Sequence, residues 1–320
     1  MMNKDWLVRS EEISDMRFGC YPGARTVENH IKNGIVVIDK PPGPTSHQVT
    51  AWVRDMLGLK RAGHAGTLDP KVTGVLVTAL ENATKIMPAL MGAQKEYVAV
   101  MKVHRDVTDA ELADVVKKFL GKIRQTPPRK SAVKRVERTR EVQELEILER
   151  DGNDVLMRVS CEAGTYIRKL ISDMGVLIGG AHMAELRRVR SGFFGESALV
   201  RMQDLKDAYD VWKETGNEDE IRKLVMPVEE GVEHLKHVIV KDTAIDALCN
   251  GAPLSSGGVL RLEKDVRAGD LVALLSAKGE LVAIGKAAAG AEAIHKERVM
   301  AVRTDRVVMA RGVYPRTWKV

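Results

Sequence analysis

The sequence lacks the features that mark several large classes of protein. No apolar run approaches the roughly 20 residues that span a bilayer, and the N-terminus carries charges where a signal peptide has an apolar core. The three cysteines, Cys20, Cys161 and Cys249, have no metal-ligand spacing, and so sparse a set favours reduced thiols in a cytosol. We therefore expect a soluble, cytoplasmic protein without a membrane anchor.

Motifs for nucleotide and metal binding are missing as well. The Gly-x4-Gly-Lys-Ser/Thr spacing of a phosphate-binding loop does not occur, and no internal repeat or low-complexity run is present. We predict no cofactor and no metal. Aromatic residues make up only 4% of the 320 residues, so any aromatic side chain in a candidate site merits attention.

Positive charge is in mild excess and unevenly spread. Lys and Arg number 50 against 44 Asp and Glu, which gives a formal net charge of +6. The segment 122–140 holds eight basic residues against the single acid Glu137, and two prolines exclude one long helix. A charge run is most often a solvated face. Because this one lies between a helix and a strand, we interpret it as a flexible arm that follows a phosphate backbone.

The first two thirds of the chain mix strand and helix patterns. An apolar run at 34–38 predicts a buried strand, and residues 96–103 alternate like a strand at a sheet surface. Capping boxes at Thr45 and Thr108 each precede a helical apolar face, and the first face includes Trp52. We predict an α+β fold with a mixed, largely antiparallel sheet, followed by a small β-barrel.

Composition changes near Lys236, where short strands and glycine turns begin, including a hairpin over 270–286. We therefore divide the chain into four parts. The parts are an N-terminal extension at 1–33 that packs on the small β domain, a main domain at 34–235, the small β domain at 236–312 and a tail at 313–320.

Three residues stand out, each with an ordinary structural reading beside a functional one. Asp69, in the loop GHAGTLDPKVTG, is either a turn residue in solvent or an active-site carboxylate. Arg168 lies in the predicted first turn of a helix, where the dipole gives a cation nothing, so a carboxylate or phosphate partner competes with plain solvation. Tyr97 is either a core aromatic or a stacking platform for an extruded base.

Five motifs in order make a specific resemblance. They are DKPPGPTSHQV, GHAGTLDPKVTG, EYVAVMKVH, TPPRKSAVKR and CEAGTYIRKL, and they resemble those of the TruB branch of pseudouridine synthases. The N-terminal extension and the PTSH form of the first motif resemble the archaeal dyskerin type. The segment from NGAPLSSGGVL to GDLVALLSAKGELVAIGKA resembles a PUA domain, a small RNA-binding β-barrel.

The resemblance implies a role for each matching residue. Asp69 matches the essential aspartate, Tyr97 the tyrosine that stacks on the target uracil, and Arg168 the arginine that pairs with the aspartate. His64 matches a histidine that helps displace the target base, and Leu186 an apolar residue beneath that base. The candidate substrate-binding residues are His64, Tyr166, Leu186, Lys134 and Arg135.

The implied activity is isomerisation of uridine to pseudouridine in RNA. It implies either catalysis in an H/ACA ribonucleoprotein, where a guide RNA selects a uridine of ribosomal RNA, or modification of the TΨC loop of tRNA without a guide. The implied partners are these RNAs and small H/ACA proteins, including a kink-turn binder. A non-catalytic RNA-binding scaffold is the alternative; the intact Asp69, Tyr97 and Arg168 speak against it, because a scaffold has no physical need for them.

Overall fold

The computed structural model describes residues 5–127 and 135–316. In that part of the chain, seventeen strands and nine α-helices form two sheets with helices packed around them. The strands are β1 (Trp6–Val8), β2 (Gly34–Lys40), β3 (Ala62–His64), β4 (Thr73–Leu80), β5 (Lys95–Val103), β6 (Gly121–Gln125), β7 (Arg138–Asp151), β8 (Asp154–Cys161), β9 (Ala181–Ser191), β10 (Phe194–Gly195), β11 (Met226–Pro227), β12 (Lys236–Val240), β13 (Leu254–Ser255), β14 (Val259–Glu263), β15 (Leu271–Ser276), β16 (Leu281–Ala287) and β17 (Met300–Val307). The helices are α1 (Val27–Lys32), α2 (Ser46–Met56), α3 (Met87–Met91), α4 (Asp109–Lys118), α5 (Ile167–Leu177), α6 (Met202–Thr215), α7 (Asp219–Leu224), α8 (Asp242–Cys249) and α9 (Ala291–Lys296).

The larger sheet has ten strands. Its main path runs β11-β2-β4-β9-β5-β8-β7-β6, with β3 paired to β4 and β10 to β9. Pairing is antiparallel except between β4 and β9, so the predicted mixed, largely antiparallel sheet is confirmed. The central pair β5–β9 brings Tyr97 opposite Arg188, and β4 leads out of the loop that holds Asp69.

The predicted capping boxes are present at the starts of α2 and α4. The side chains of Thr45 and Thr108 accept hydrogen bonds from the backbone amides three residues later. The side chains of Gln48 and Glu111 accept in turn from the backbone amides of Thr45 and Thr108. One detail of the predicted α2 face is wrong: Trp52 is 43% exposed, whereas Val49 and Val53 are fully buried. A helix buries only one stripe, and Trp52 lies at its edge.

The smaller sheet has seven strands in the order β1-β14-β12-β15-β16-β17-β13. Its first member comes from the N-terminus: β1 pairs with β14, with Trp6 opposite Glu263. Pairing is antiparallel apart from β12 with β15. Tyr314, close to the C-terminus, is 2% exposed in the core of this sheet. The proposed boundaries at residues 33, 235 and 312 stay a prediction.

The two sheets share a continuous apolar core. Ile35 and Val37 of the larger sheet cluster with Ile239, Leu275 and Ile284 of the smaller one. No helix in the described ranges is both long and apolar enough to cross a membrane.

The described ends of the basic segment 122–140 differ from the predicted flexible arm. Its two ends are strands, because β6 pairs with β7 in the register Ile123 with Arg140 and Gln125 with Arg138. Alternation explains the difference: Ile123 and Gln125 are buried while Lys122 and Arg124 are exposed, a period of two. Residues 128–134 of the segment lie outside the described residues.

Candidate active site

The loop that carries Asp69 is held from below by a buried lysine. The Nζ atom of Lys40, fully buried at the end of β2, donates to the carbonyl oxygens of Pro41, Pro70 and Val72 at 2.9–3.0 Å. All three ammonium protons are thereby used. Burial lowers the pKa of Lys40, and the negative charge of Asp69 acts in the opposite direction.

A buried hydroxyl fixes the other side of the same loop. Ser46 Oγ donates to the carbonyl oxygen of Leu68 at 3.0 Å and accepts from the Leu68 amide at 2.8 Å. Because Ser46 is the first residue of α2, its position depends on the capping box at Thr45. Asp69 is thus fixed by its neighbours on either side, while its own side chain stays 52% exposed.

Arg188 of β9 lies under the start of the loop. It is 1% exposed; its Nε donates to the Val75 carbonyl at 2.7 Å and its Nη2 to the Gly66 carbonyl at 3.0 Å. Gly66 has φ +101°, and a Cβ there would lie 3.4 Å from Arg188 Nη1. The glycine therefore supplies both the backbone conformation and the close approach of the loop to the guanidinium.

Arg168, in the first turn of α5, contacts Asp69. Its Nη2 donates to Asp69 Oδ2, and the Arg168 side chain is 56% exposed. The start of α5 is positioned by Gln125 of β6, whose Oε1 accepts from the Tyr166 amide at 3.0 Å and whose Nε2 donates to the Tyr166 carbonyl at 3.2 Å. The helix N-terminus gives Arg168 no dipole stabilisation, and the carboxylate supplies the partner instead.

Tyr97 forms part of the site's inner wall. It is 8% exposed and packs with Leu68 and Val72 of the Asp69 loop. Burial raises the pKa of the phenol, and the positive charge of the neighbouring Arg188 acts in the opposite direction. Tyr97 is therefore both a core residue and a neighbour of the Asp69 loop.

His64 lines a cleft of about 520 Å³ beside the loop, with His47, Arg54 and Met91 at its other walls. His64 Nδ1 lies 3.1 Å from Thr50 Oγ1, and its Nε2 lies 3.2 Å from Thr67 Oγ1. The hydroxyl proton of Thr50 goes to the Ser46 carbonyl at 2.8 Å, so Nδ1 is the protonated nitrogen. Burial lowers the pKa of His64 to about 4.

The remaining candidate residues are spread over three places. Leu186 is half-buried on β9 opposite Ala99 and packs against the same core as Tyr97. Tyr166 is half-buried before α5, and Arg135 is exposed between β6 and β7. Lys134 lies outside the described residues. The roles assigned to all these residues stay predictions.

Four further residues shape the site without having been singled out from the sequence. Lys40, Ser46, Gln125 and Arg188 act through backbone atoms of distant segments, which local patterns do not reveal. No such signal marks Arg188 either: on β9, Leu186 is half-buried, Arg188 buried and Arg190 exposed, which is not a two-residue alternation.

Comparison with known families matches nearly the whole chain. A model described as TruB family pseudouridylate synthase (N terminal domain) matches residues 54–167, and the tRNA pseudouridylate synthase B C-terminal domain matches 168–233. A PUA domain matches 236–308 and a DKCLD (NUC011) domain 2–50. The fold and site therefore define a pseudouridine synthase, an RNA-modifying isomerase.

Within that class, the chain belongs to the TruB family. A probable tRNA pseudouridine synthase B of Methanopyrus kandleri is 52% identical over 318 residues, covering 99% of this chain and 94% of the relative. The protein of the same name from Methanocaldococcus jannaschii is 50% identical, covering 99% of this chain and 95% of the relative.

Solved structures agree over the full length. A chain of a Cbf5-Nop10-Gar1 complex superposes with a TM-score of 0.90 at 47% identity, covering 98% of this chain and 97% of the other. A chain of an H/ACA RNP bound to a substrate RNA containing 2'-deoxyuridine gives a TM-score of 0.90 at 45% identity, covering 99% and 98%. The resemblance to the archaeal dyskerin type is thus confirmed.

Proposed function

We propose that this protein isomerises uridine in two RNA settings: in ribosomal RNA as the catalytic subunit of an H/ACA guide ribonucleoprotein, and in the TΨC loop of tRNA without a guide. The pairing of Arg168 on α5 with Asp69, whose loop is immobilised by Lys40 and Ser46, is the observation that carries this proposal. In the reaction the bond between ribose C1' and uracil N1 breaks, the base turns, and a bond forms from C1' to C5. A proton leaves C5 and another is gained at N1, so no redox partner is required.

In this proposal, Asp69 acts on the ribose as an ionised carboxylate, and Arg168 keeps it charged and oriented. The protein alone leaves both side chains about half exposed, so the RNA itself has to complete the shielding from water. The target uridine must leave the stacked RNA to reach them. Tyr97 is 8% exposed, so stacking of uracil on its ring requires the neighbouring side chains to move.

The smaller sheet offers a second contact with RNA. A cleft of about 710 Å³ is lined by Arg9, Lys241 and Arg298 together with Ser255. We assign this cleft to the ACA end of the guide, since cations and hydroxyls are typical donors to phosphate and sugar. In the same proposal, Arg135, exposed between β6 and β7, contacts the RNA backbone.

Partners and location follow from the same proposal. The structural relatives are described in complexes with Nop10 and Gar1 and with substrate RNA. We propose equivalent small proteins for this chain, including a kink-turn binder, and a cytoplasmic role in ribosome biogenesis.

The test is to incubate the purified protein with a tRNA transcript, and separately with guide RNA, partner proteins and a ribosomal RNA fragment. We expect pseudouridine in the TΨC loop in the first case and at the guide-selected uridine in the second. Absence of pseudouridine from both RNAs would contradict the enzymatic proposal and favour a binding scaffold.

A further inference from the structure

Three cations are buried around the catalytic loop, and none of them has a carboxylate partner among the described residues. Lys40, Lys95 and Arg188 are 0%, 5% and 1% exposed. Lys95 Nζ donates to the Ala93 carbonyl at 2.7 Å and to the Leu90 carbonyl at 3.4 Å, and the other two also donate to backbone carbonyls. We call these three residues the buried cation cluster.

The fold does not prevent a cation in this region from having carboxylate partners. Arg187, the immediate neighbour of Arg188, pairs with Asp39 at 3.0 Å and with Glu196 at 2.7 Å. A buried charge without a counter-ion costs stability, even when its hydrogen bonds are made. Burial lowers the pKa of Lys40, Lys95 and Arg188 alike, as expected for charges held against desolvation.

The cluster lies on one side of the Asp69 loop. Lys40 contacts the loop at Pro70 and Val72, directly after Asp69. At Gly66, a Cβ would meet Arg188 Nη1 at 3.4 Å and Lys95 Cε at 3.8 Å. Lys95 and Tyr97 also share the buried face of β5, and Arg188 is the β9 residue opposite Tyr97. The positive charges therefore lie behind the Asp69 loop and close to Tyr97.

We propose that the buried cation cluster stabilises the negative charge that develops on uracil when its bond to the ribose breaks. This inference rests on the proposed function. The bond between C1' and N1 breaks heterolytically, its electron pair stays on the departing base, and the uracil anion must persist until it has turned. Fixed positive charges in a region of low dielectric favour such a transition state over the neutral bound nucleotide. Carbonyl partners leave the charges of Lys95 and Arg188 uncancelled, whereas carboxylates would cancel them; Lys40 also experiences the negative charge of Asp69.

Lys95 gives the sharpest test, because methionine has a similar length and no charge. We expect Lys95→Met in the full-length protein to lower the single-turnover rate on tRNA about 10-fold or more. RNA affinity should stay within about twofold, because the side chain is buried away from phosphates.

Lys85→Met is the matched control. Lys85 is also partly buried, its Nζ donates to a carbonyl oxygen (Val308, 3.3 Å), and burial lowers its pKa. It lies between the two sheets rather than beside Asp69. We expect its removal to leave the single-turnover rate within about twofold of the original protein.

A second readout separates electrostatics from a structural effect. With 5-fluorouridine at the target position, the fluorine withdraws electrons and the departing anion needs less stabilisation. The loss of rate in Lys95→Met, followed as consumption of the target nucleoside, should therefore be smaller than with uridine. Equal losses with both RNAs, or a rate on uridine within about twofold of the original protein, would overturn the proposal.

The unmutated protein provides a test that does not depend on folding of a variant. The charges of Arg188 from β9 and Cys161 from β8 act on Lys95, and burial raises the pKa of Cys161 to about 11. Glu96, Glu144 and Arg190 line the same cleft as Lys95. Burial lowers the pKa of Lys95 to about 8, so its charge is lost as the pH rises through that value. We expect the single-turnover rate to fall between pH 7 and 8.5, and a flat rate would count against the cluster. Failure of the unmutated protein to isomerise any RNA would instead be a failure of the proposed function.

Discussion

Two regions of this protein bury cations in opposite ways. At the junction of the N-terminal extension with the smaller sheet, Arg25 forms a two-pronged pair with Glu229 at 2.7 and 2.9 Å. At the catalytic loop, Lys40 and Arg188 are more deeply buried than Arg25 but, within the described part of the chain, donate to neutral acceptors. The first arrangement cancels charge and fixes structure, whereas the second leaves positive charge in place beside a reacting base. The difference teaches that burial alone does not identify a functional charge; its partner does.

The largest expected effect comes from the carboxylate at the catalytic loop. Asp69→Asn keeps the shape but removes the negative charge that Arg168 contacts, and we expect isomerisation to fall on the order of 10⁴-fold with RNA binding retained. The measurement is a single-turnover assay with nucleoside mapping. Asp154→Asn is the control, because Asp154 is a half-exposed carboxylate paired with Lys102 at 3.1 Å. Turnover above a trace in pure Asp69→Asn would contradict the assignment.

Breaking the Arg25–Glu229 ion pair should lower the stability of the fold rather than the reaction rate. Arg25→Met leaves Glu229 largely buried without its partner, and we expect a loss of about 3–5 kcal/mol in the free energy of unfolding. The rate per folded molecule should be unchanged. Arg201→Met, which removes one partner of an exposed pair, should cost less than about 1 kcal/mol. If Arg25→Met instead lowered the rate without loss of stability, the contrast between the two regions would fail.

A smaller effect is expected on the free energy of unfolding when the pH is lowered. Because burial lowers the pKa of His64 from 6.5 to about 4, the unfolded chain binds the proton more readily than the folded one between these values. Stability should therefore fall as the pH drops from 7.5 to 5, by about 1–2 kcal/mol from this residue. Denaturant unfolding at both pH values checks this. The dependence should be weaker in His64→Gln and unaltered in His182→Gln; an identical dependence in His64→Gln would exclude His64 as its source.

The smallest effect belongs to the exposed cations of the β6–β7 hairpin. Removing one cation that binds a phosphate should lower the salt slope of RNA binding by about 0.7–0.9. Arg124→Ala with Arg135→Ala should therefore flatten the slope by at most about twice that value and leave the chosen uridine unchanged. Lys213→Ala with Lys223→Ala, on the far helices α6 and α7, provides the charge-matched control. A shifted target position with an unaltered slope would mean that the hairpin reads sequence.

Most of the fold followed from local patterns. The capping boxes and the hairpin of β15 and β16 were predicted from short-range spacing alone, since caps and turns are set by neighbours in sequence. Trp52 was misplaced, because periodicity gives a direction around a helix but not the width of its buried stripe.

Prediction of the site was less complete for a physical reason. The motifs of the family directed attention to Asp69 and Arg168, which the structure brings into contact. The residues that hold them, such as Ser46 and Gln125, do so through pairs of hydrogen bonds to backbone atoms more than 20 positions away. Such contacts leave no periodic trace in the sequence, and only the tertiary structure reveals them.

The pairing of β1 with β14 also has a consequence for synthesis on the ribosome. Trp6 lies opposite Glu263, so one of the first strands to emerge must wait for a partner made about 250 residues later. At 5–20 residues per second this delay is roughly 13–50 s. During that time the edge of β1 is unpaired, and the smaller sheet cannot be completed by a chain that stops before β14. A truncated product would therefore leave β1 exposed as a signal for chaperones or proteases, so that incomplete chains are removed before they meet RNA.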